Sequence, residues 1–541
     1  MPPMKKVDSL YASCLKTVIS QLNYIFEKKR HRKQFYKKFF KLTRSILLND
    51  LHGGIRQDLL KLAAEMYRHD IWRILSFIEL LGDISIRKLL PCHKDDQLLL
   101  YQWTKLVSCL KSSDITGLEE LVLKVKNTGE LFERPKFEYS YPILYKTLEA
   151  GLSKSLHTLV LRSTCNNQVL AILGKESIHL SHLDISNSWH VDDSGIRNLL
   201  LKTPNNINLP CDIDVIEYVP FAELNKIKDT ELTQCCSTLV EVRIQDTNTS
   251  SVSVIMMLYF IKSLKSVGGF IYYRNVGDAI LAIKAEKKNV KLSLTELFDT
   301  QLPYEKLISL SETLPNLTTL YTRASFLPTE FRPFPHLTAL IVDFDFDLHK
   351  QVFFPFLRNN GRFLKKLTLI DQPFDVDLIA IASYCPELKE LVAKVNVSDE
   401  HSPLSLSELE AVTLRVNSAS TLRWLLNQAP NLTRCKVLIV DDDLAFKRTG
   451  IDNEFFSSLV KLCPPAFKNL EELNIVILDP EFLLMSFGTA KGLIESCQKL
   501  KYLGNLDTWK MKGGELNQLK KRIQSSNWDL QLIFTNELLG T

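Results

Sequence analysis

The sequence has little of what exported and membrane-spanning proteins need. Its 541 residues include 11 cysteines, an odd number with no Cys-x-x-Cys pair, which favours a reducing compartment. The first residues, Met1 to Lys6, lack the apolar stretch of a signal peptide, and neither end shows a lipidation motif. The longest apolar run, Val252 to Ile261, is too short to span a bilayer. We therefore expect a cytoplasmic protein, with the nucleus as the alternative location.

Signatures of catalysis are also missing. The chain carries no Gly-rich phosphate loop, no serine elbow and no kinase signature. His179 and His182 are three residues apart but flank the first leucine of a predicted strand, where side chains three apart face opposite sides. The sequence therefore predicts a protein that is not an enzyme and that needs no metal and no cofactor.

Two acidic stretches raise the question of calcium. Asp343, Asp345 and Asp347 alternate with phenylalanines, and Asp441 to Asp443 follow another predicted strand. Neither stretch has the glycine and the closing glutamate of a calcium loop. The prediction is turn and helix-cap carboxylates, with an acidic rim that meets a basic partner as the alternative.

What the chain does have is a repeat. The phrase Leu-x-x-Leu-x-Leu, or a close variant, begins at thirteen leucines, mostly 20 to 30 residues apart. They are Leu118, Leu156, Leu180, Leu239, Leu264, Leu317, Leu337, Leu364, Leu388, Leu409, Leu432, Leu470 and Leu500. This period suits one short strand plus one helix per unit, stacked so that neighbouring units bury a shared core. Aspartates precede two apolar helical runs, Asp192 with Asp193 before one and Asp375 with Asp377 before the other, and such residues are predicted to supply N-caps.

The repeat resembles the leucine-rich-repeat superfamily, in particular its longer ribonuclease-inhibitor and cysteine-containing subtypes, over Leu118 to Phe534. The resemblance implies an α/β solenoid with one strand and one helix per repeat. We expect a basic helical segment over residues 1–50, a helical domain or cap over 51–117, the repeat arc over 118–534 and a tail over 535–541.

In such an arc the strand residues between the leucines face outward on the concave side, because side chains alternate along a strand. This predicted face mixes aromatic, polar and charged groups, as protein-binding surfaces do, and Tyr321 with Arg323 is its best pair of binding residues by type. The candidate partner-binding residues are Asp184, Arg243, Tyr321, Arg323, Asp343, Thr368, Lys394, Arg415 and Lys436.

The N-terminal segment has a charge of its own. The first 50 residues hold 12 Lys/Arg and 3 Asp/Glu, whereas the remaining residues hold 55 and 59. The basic run Lys28 to Lys33 continues into a stretch with interleaved aromatics, Phe35, Tyr36, Phe39 and Phe40, which predicts a helix with an aromatic and a basic face. A solvated face packed on the domain, a nuclear import signal, and contact with nucleic acid or an acidic membrane are the three interpretations.

Residues Ser9 to Leu22 predict an amphipathic helix with Leu10, Cys14, Val18 and Leu22 on one stripe. Plain core packing is one interpretation of this stripe. The phrase Leu10, Cys14, Val18 is also similar to the Elongin-C-binding box of Elongin-cullin ubiquitin ligase receptors of the Zyg and Zer type. That resemblance implies that a leucine enters a pocket of the adaptor while a small side chain allows close helix approach. The candidate cullin-selecting segment, Leu51 to Ile55, lacks a proline, so the choice of cullin is unsupported.

An F-box is the alternative adaptor domain, because Ile55 to Ser113 is predicted to be helical, but the Leu-Pro opening of an F-box is missing. The predicted function is substrate recognition for a cullin-RING ubiquitin ligase, with Elongin B/C, a cullin and an unknown client protein as partners. A scaffold or inhibitor with no ligase link is one alternative, and a nuclear adaptor that uses the basic segment is another.

Overall fold

A computed structural model describes most of the chain. The described residues are 2–4, 9–27, 33–67, 70–89, 98–112, 115–125, 141–204, 219, 221–268, 276–287, 290–299, 304–324, 327, 334–344, 350–439, 450–477, 486–509, 511 and 513–533. The basic run at 28–32, Asp345, Asp347 and the acidic stretch at 441–443 lie outside them.

The chain forms two compact units. The N-terminal unit comprises Asp8–Asp299 and Glu312–Asn316, and the C-terminal unit comprises Met1–Val7, Thr300–Ser311 and Leu317–Thr541. The expected boundaries at 50 and 117 therefore fall inside the N-terminal unit. Its helical segment and its first strands belong to one compact body.

The N-terminal unit begins with helices and continues with parallel strands that alternate with helices. Its elements in chain order are α1 (Leu10–Glu27), α2 (Lys33–Asp50), α3 (Gly53–Met66), α4 (Ile71–Leu81), β1 (Lys88–Leu89), α5 (Leu100–Ser112), β2 (Glu120–Lys124), α6 (Tyr141–Thr147), α7 (Ser153–Ser155), β3 (Thr158–Arg162), α8 (Asn167–Glu176), β4 (His182–Asp184), α9 (Asp193–Leu200), α10 (Phe221–Lys226), α11 (Cys235–Thr238), β5 (Glu241–Arg243), α12 (Ser251–Phe260), α13 (Val276–Glu286) and β6 (Glu296–Phe298). Strands β1 to β5 form a parallel sheet in sequence order.

The leucines of the repeat phrase line up across this sheet. Leu159 of β3 is in register with Leu121 of β2 on one side and with Leu183 of β4 on the other, and all three are buried. The residues between them alternate to the opposite face, as the side-chain period of a strand requires. The same-face alignment places the apolar side chains of successive strands in one continuous core.

The C-terminal unit repeats the pattern. Its elements are α14 (Tyr304–Ser311), β7 (Thr319–Arg323), β8 (Ala339–Asp343), α15 (Lys350–Asn360), β9 (Lys366–Ile370), β10 (Val376–Asp377), α16 (Leu378–Tyr384), β11 (Glu390–Asn396), β12 (Ala411–Val416), α17 (Ala419–Gln428), β13 (Arg434–Ile439), α18 (Asn453–Leu462), β14 (Glu472–Ile477), α19 (Phe487–Ser496), β15 (Tyr502–Gly504), α20 (Gly513–Ser525) and β16 (Gln531–Leu532). The sheet is parallel in the order β7-β8-β9-β11-β12-β13-β14-β15-β16, and β10 pairs with β11.

Helix starts are fixed by side-chain caps at predicted positions. The carboxylate of Asp192 accepts hydrogen bonds from the backbone N–H of Ser194 at 2.8 Å and of Gly195 at 3.4 Å, at the start of α9. Asp377 accepts one from Ile379 N at 3.1 Å at the start of α16. An aspartate cap at each of these two helix starts is confirmed, and the capping residues are Asp192 and Asp377. Each cap satisfies N–H groups that have no partner inside the helix.

In the C-terminal unit, residues near the beginning of the chain pair with the segment just before β16. The backbone N–H of Asp529 donates to the carbonyl of Pro3 at 2.7 Å, and Met4 forms an antiparallel bridge with Trp528. The indole N–H of Trp509 donates to the carbonyl of Ile475 at 2.9 Å from inside the core.

None of the helices in the described part of the chain is both long and apolar enough to cross a membrane.

Candidate functional site

Helix α1 packs on the N-terminal unit through one face. Leu15, Ile19, Leu22 and Phe26 are buried at spacings of four, three and four residues. The ring of Phe26 stands edge-on to Phe77 of α4, with centroids 4.9 Å apart. Because this spacing follows the helical period, the buried face is continuous and the opposite face of α1 points to solvent.

The three residues of the predicted adaptor motif are not among the buried residues of α1. Leu10 is 83% exposed, Cys14 one turn later is also exposed, and Val18 is half-buried. An almost fully exposed leucine beside a small exposed side chain gives α1 an accessible apolar ridge. The structure therefore leaves Leu10 and Cys14 free to contact another molecule.

The predicted single stripe of four residues is wrong at its C-terminal end. A step of four residues turns a helix by about 400°, so each step moves the side chain by about 40° around the axis. Three steps from Leu10 reach Leu22 at about 120°, which lies on the buried face. The stripe therefore begins with two exposed residues, Leu10 and Cys14, and ends with a buried one, Leu22.

The first turn of α1 is held in place from both sides. The hydroxyl of Ser9 accepts a hydrogen bond from Ala12 N at 3.1 Å, and Tyr11 donates its phenol proton to the carboxylate of Asp58 on α3 at 2.7 Å. This hydrogen bond to Asp58 is the main reason why the pKa of Tyr11 is raised, because ionising the phenol would remove the donated proton. Leu10 is therefore displayed from an ordered turn.

Helix α2 is attached through Arg44 and Phe40. The Arg44 guanidinium donates to the carbonyls of Glu79 and Gly82 at the C-terminal end of α4, the second at 2.6 Å. Phe40 approaches Phe26 with ring centroids 6.5 Å apart, whereas its neighbour Phe39 is 41% exposed. The prediction of one shared aromatic face is therefore wrong for this pair, since consecutive helical residues point about 100° apart.

The candidate cullin-selecting segment has a structural role. The ring of His52 accepts a hydrogen bond from Gly54 N at 3.1 Å and so caps α3. A Cβ on Gly53 would lie 2.4 Å from the hydroxyl of Ser85. Next to it, the almost fully buried Arg56 forms an ion pair with Asp83 at 2.9 Å and donates to Ser85 at 3.0 Å. This network joins the start of α3 to the end of α4.

In the N-terminal unit, two predicted partner-binding residues already form ion pairs within the chain. Asp184 is only 7% exposed, and its carboxylate accepts hydrogen bonds from Arg162 at 2.7 Å and from the Ser186 hydroxyl at 2.7 Å. Arg243 is half-buried between Glu241 and Glu296. Burial works to lower the pKa of Arg243, but the two carboxylates outweigh it and raise the pKa. Both residues thus stabilise the sheet.

The other predicted residues share the outward face of the C-terminal sheet. Tyr321 lies in register with Ile341, which is followed by Thr368, and Arg323 lies opposite Asp343. Further along, Lys394 is in register with Arg415, and Thr413 is in register with Lys436. We call this surface, formed by the outward residues of β7–β9 and β11–β14, the strand face.

Some cations of the strand face are ion-paired and others are not. The ammonium of Lys394 lies 3.3 Å from Asp375, and Lys366 lies 2.9 Å from Glu390. Arg415 is exposed and Lys436 is half-buried, and within the described ranges neither has an ion pair or a side-chain hydrogen bond. Sequence reasoning found these residues but could not tell the paired cations from the unpaired ones.

Most cysteines of the described ranges are buried in the core. The nine cysteines of the described ranges are free thiols, and only Cys14 and Cys463 are exposed. Burial raises the pKa of Cys385, Cys435 and Cys497 to about 12 each, so these thiols stay protonated near neutral pH. Within the described part of the chain no three His, Cys, Asp or Glu side chains come together as metal ligands.

No family model and no curated protein matches the sequence. Among solved structures, the chain is similar to the crystal structure of the Rad7 and Elc1 complex in yeast, with 13% sequence identity and a TM-score of 0.28. The similarity covers 82% of this chain and 96% of the other. At this TM-score it identifies neither a family nor an activity.

Proposed function

We propose that this chain is a non-catalytic substrate-recognition subunit of a ubiquitin ligase. In this proposal the exposed ridge of α1 binds an adaptor of the Elongin C type, and the strand face binds the client protein. The observation that carries the proposal is the position of Leu10, which is 83% exposed on a helix whose opposite face is firmly packed.

The energetics of this leucine favour a partner. Burying a leucine side chain contributes about 1.5–3 kcal/mol, and Leu10 gains none of this within its own unit. Cys14, one turn away, is small enough for a second helix or a pocket rim to approach the backbone. An ordered helix that presents one apolar anchor beside a small residue suits recognition in a groove.

A leucine-rich-repeat solenoid is the architecture that best accounts for both units. Parallel strands recur at the spacing of the repeat phrase, and consecutive strands are joined by chain segments that often carry a helix. In such a solenoid the outward strand residues form an extended surface for a protein partner. The free thiols of the described cysteines suit the reducing cytoplasm, where we place the protein.

The test is binding of the purified chain to Elongin B/C. We expect Leu10→Ala to weaken binding by about tenfold or more, since the lost burial is worth about 1.5–3 kcal/mol. Cys14→Phe should block the approach, while Cys14→Ala should bind like the wild type because it stays small. Leu42→Ala is the matched control, since Leu42 is also an exposed leucine but lies on α2.

A negative binding result would distinguish the ligase proposal from the other candidate functions. If Elongin B/C binds neither the wild type nor the variants, or binds all of them equally, the link to this ligase class fails. A scaffold or inhibitor that works through the strand face would then be the remaining function.

A further inference from the structure

Ion pairs neutralise many of the charged side chains on the outward faces of the strands. They join lysine or arginine to glutamate or aspartate on the same strand, on a strand one or two places away in the sheet, or on an adjoining loop. The pairs are Lys88 with Glu120, Arg162 with Asp184, Arg243 with Glu241, Lys366 with Glu390, Arg434 with Glu390, and Lys394 with Asp375. Each of these cations therefore already has a counter-charge in the sheet or beside it.

Arg415 and Lys436 depart from this pattern. Arg415 of β12 lies opposite Leu438 of β13, and Lys436 of β13 lies opposite Thr413 of β12. The two cations are therefore diagonal neighbours on adjacent strands and share one face. In the part of the chain that the structure describes, neither contacts a carboxylate.

The surroundings of this pair are partly apolar. Val392 of β11 is in register with Thr413, and Leu438 of β13 lies beside Arg415. Both Val392 and Leu438 are partly exposed on the strand face. Apolar neighbours lower the local dielectric constant, so a bound anion would interact with the two cations more strongly than in open water.

Two adjacent cations without a counter-charge repel each other, and a bound carboxylate removes this repulsion. We propose that Arg415 and Lys436 bind an acidic side chain of an extended peptide segment, while Val392 and Leu438 contact an apolar side chain of the same segment. This inference rests on the proposed function, because it names the chemistry of the client that the strand face selects.

The distribution of charge favours a peptide over other anions. A nucleic acid would need a track of unpaired cations along its phosphates, but the neighbouring cations Lys394 and Arg434 are ion-paired with Asp375 and Glu390. A membrane surface would need a broad basic patch with protruding apolar side chains. Two unpaired cations beside apolar side chains, with ion-paired neighbours around them, suit one or two acidic groups spaced along a chain.

The experiment begins with selection of linear peptides from a random displayed library on the full-length protein. An enriched peptide is then measured by fluorescence anisotropy against the same peptide with Asp and Glu replaced by Asn and Gln. We expect acidic residues to be enriched next to an apolar residue. The amide peptide should bind at least about tenfold more weakly, because hydrogen bonds to an ionised acceptor are stronger than those to a neutral one.

Charge reversal locates the site. Arg415→Glu with Lys436→Glu should abolish binding of the acidic peptide, while Lys436→Arg should retain it. The control is Lys461→Glu with Lys468→Glu, which makes the same change in net charge at exposed lysines of α18 and of the short turn Pro465–Lys468. Circular dichroism melting of each variant shows that it is folded.

The inference is overturned if the selected peptides lack acidic residues, or if both charge reversals weaken binding equally, since net charge alone would then be the cause. Tighter binding to phosphatidylserine vesicles or to single-stranded RNA than to the peptide would also overturn it. Elongin B/C binding by the strand-face variants is measured in parallel. Adaptor binding that survives the loss of a peptide site leaves the proposed function standing.

Discussion

The phenol of Tyr11 donates a hydrogen bond to the carboxylate of Asp58 at 2.7 Å, one residue from the exposed side chain of Leu10. This contact joins the first turn of α1 to α3. It makes the position of Leu10 depend on a polar contact at the surface as well as on the buried residues that follow. The adaptor proposal can therefore be tested without changing Leu10 itself.

Tyr11→Phe should weaken adaptor binding several-fold while leaving the melting temperature almost unchanged. The substitution removes a solvent-exposed hydrogen bond, which contributes little to overall stability, but keeps the ring. Binding of Elongin B/C to the purified variant provides the measurement, and Tyr24→Phe, an exposed tyrosine later on α1, is the control. Equal affinity of wild type and Tyr11→Phe would show that this hydrogen bond does not position the ridge.

Shortening a side chain to alanine should change the free energy of unfolding differently on the two faces of α1. Ile19 is fully buried, so Ile19→Ala should lower the free energy of unfolding by about 2–5 kcal/mol. Leu10→Ala should change it by about 0.5 kcal/mol or less, because the side chain is exposed. Denaturant unfolding of both variants measures this contrast. A large loss of stability with Leu10→Ala would mean that Leu10 packs into the fold.

The ion pair of Arg56 with Asp83 should make the helical segment sensitive to acid. Burial alone would raise the pKa of Asp83, but hydrogen bonds from Ser85 and Arg56 outweigh it and lower the pKa below the ordinary value of an aspartate. A carboxylate with a lowered folded pKa contributes stability that is fully present above the unfolded pKa. This contribution is lost as the pH falls through the folded pKa.

Asp83→Asn should therefore cost stability near neutral pH and progressively less in acid. We expect the difference in melting temperature between wild type and Asp83→Asn to shrink as the pH falls through the ordinary titration range of aspartate, about pH 4, and below it. Arg56→Met, which leaves Asp83 without its cation, should lower the free energy of unfolding by about 2–4 kcal/mol at neutral pH. A difference for Asp83→Asn that stays constant with pH would contradict this assignment.

Gly504 on β15 leaves room for the side chain of Asn474 on β14. A Cβ at position 504 would lie 1.7 Å from the Asn474 Oδ1 atom, and Asn474 is only 2% exposed. Gly504→Ala should therefore lower the free energy of unfolding by about 1–3 kcal/mol. Asn474→Ala in the same chain should relieve part of this cost, which a double-mutant cycle measures. Strictly additive costs would show that the two positions do not interact.

Much of the architecture could be predicted from the sequence because the repeat phrase is a local pattern. Leu364, Leu367 and Leu369 mark β9, and each of them is buried. The N-cap at Asp192 follows from residue type and position in the same way. Strands and caps depend on neighbours in the chain, which a sequence displays directly.

The site was only partly predictable because its details depend on residues that are distant in sequence. Asp184 is ion-paired with Arg162 on the preceding strand. The sequence shows that position 184 holds an aspartate but not that an arginine contacts it. Leu22 leaves the exposed stripe because a spacing of four drifts around a helix with 3.6 residues per turn. Which face of α1 is buried depends on where α3 and α4 lie.

The most direct measurement of the central claim is the dissociation constant of Elongin B/C for the wild-type chain, Leu10→Ala and the control Leu42→Ala. The proposal predicts that wild type and Leu42→Ala bind alike and that Leu10→Ala binds about tenfold or more weakly. Equal binding by all three proteins, or no binding by the wild type, would contradict it.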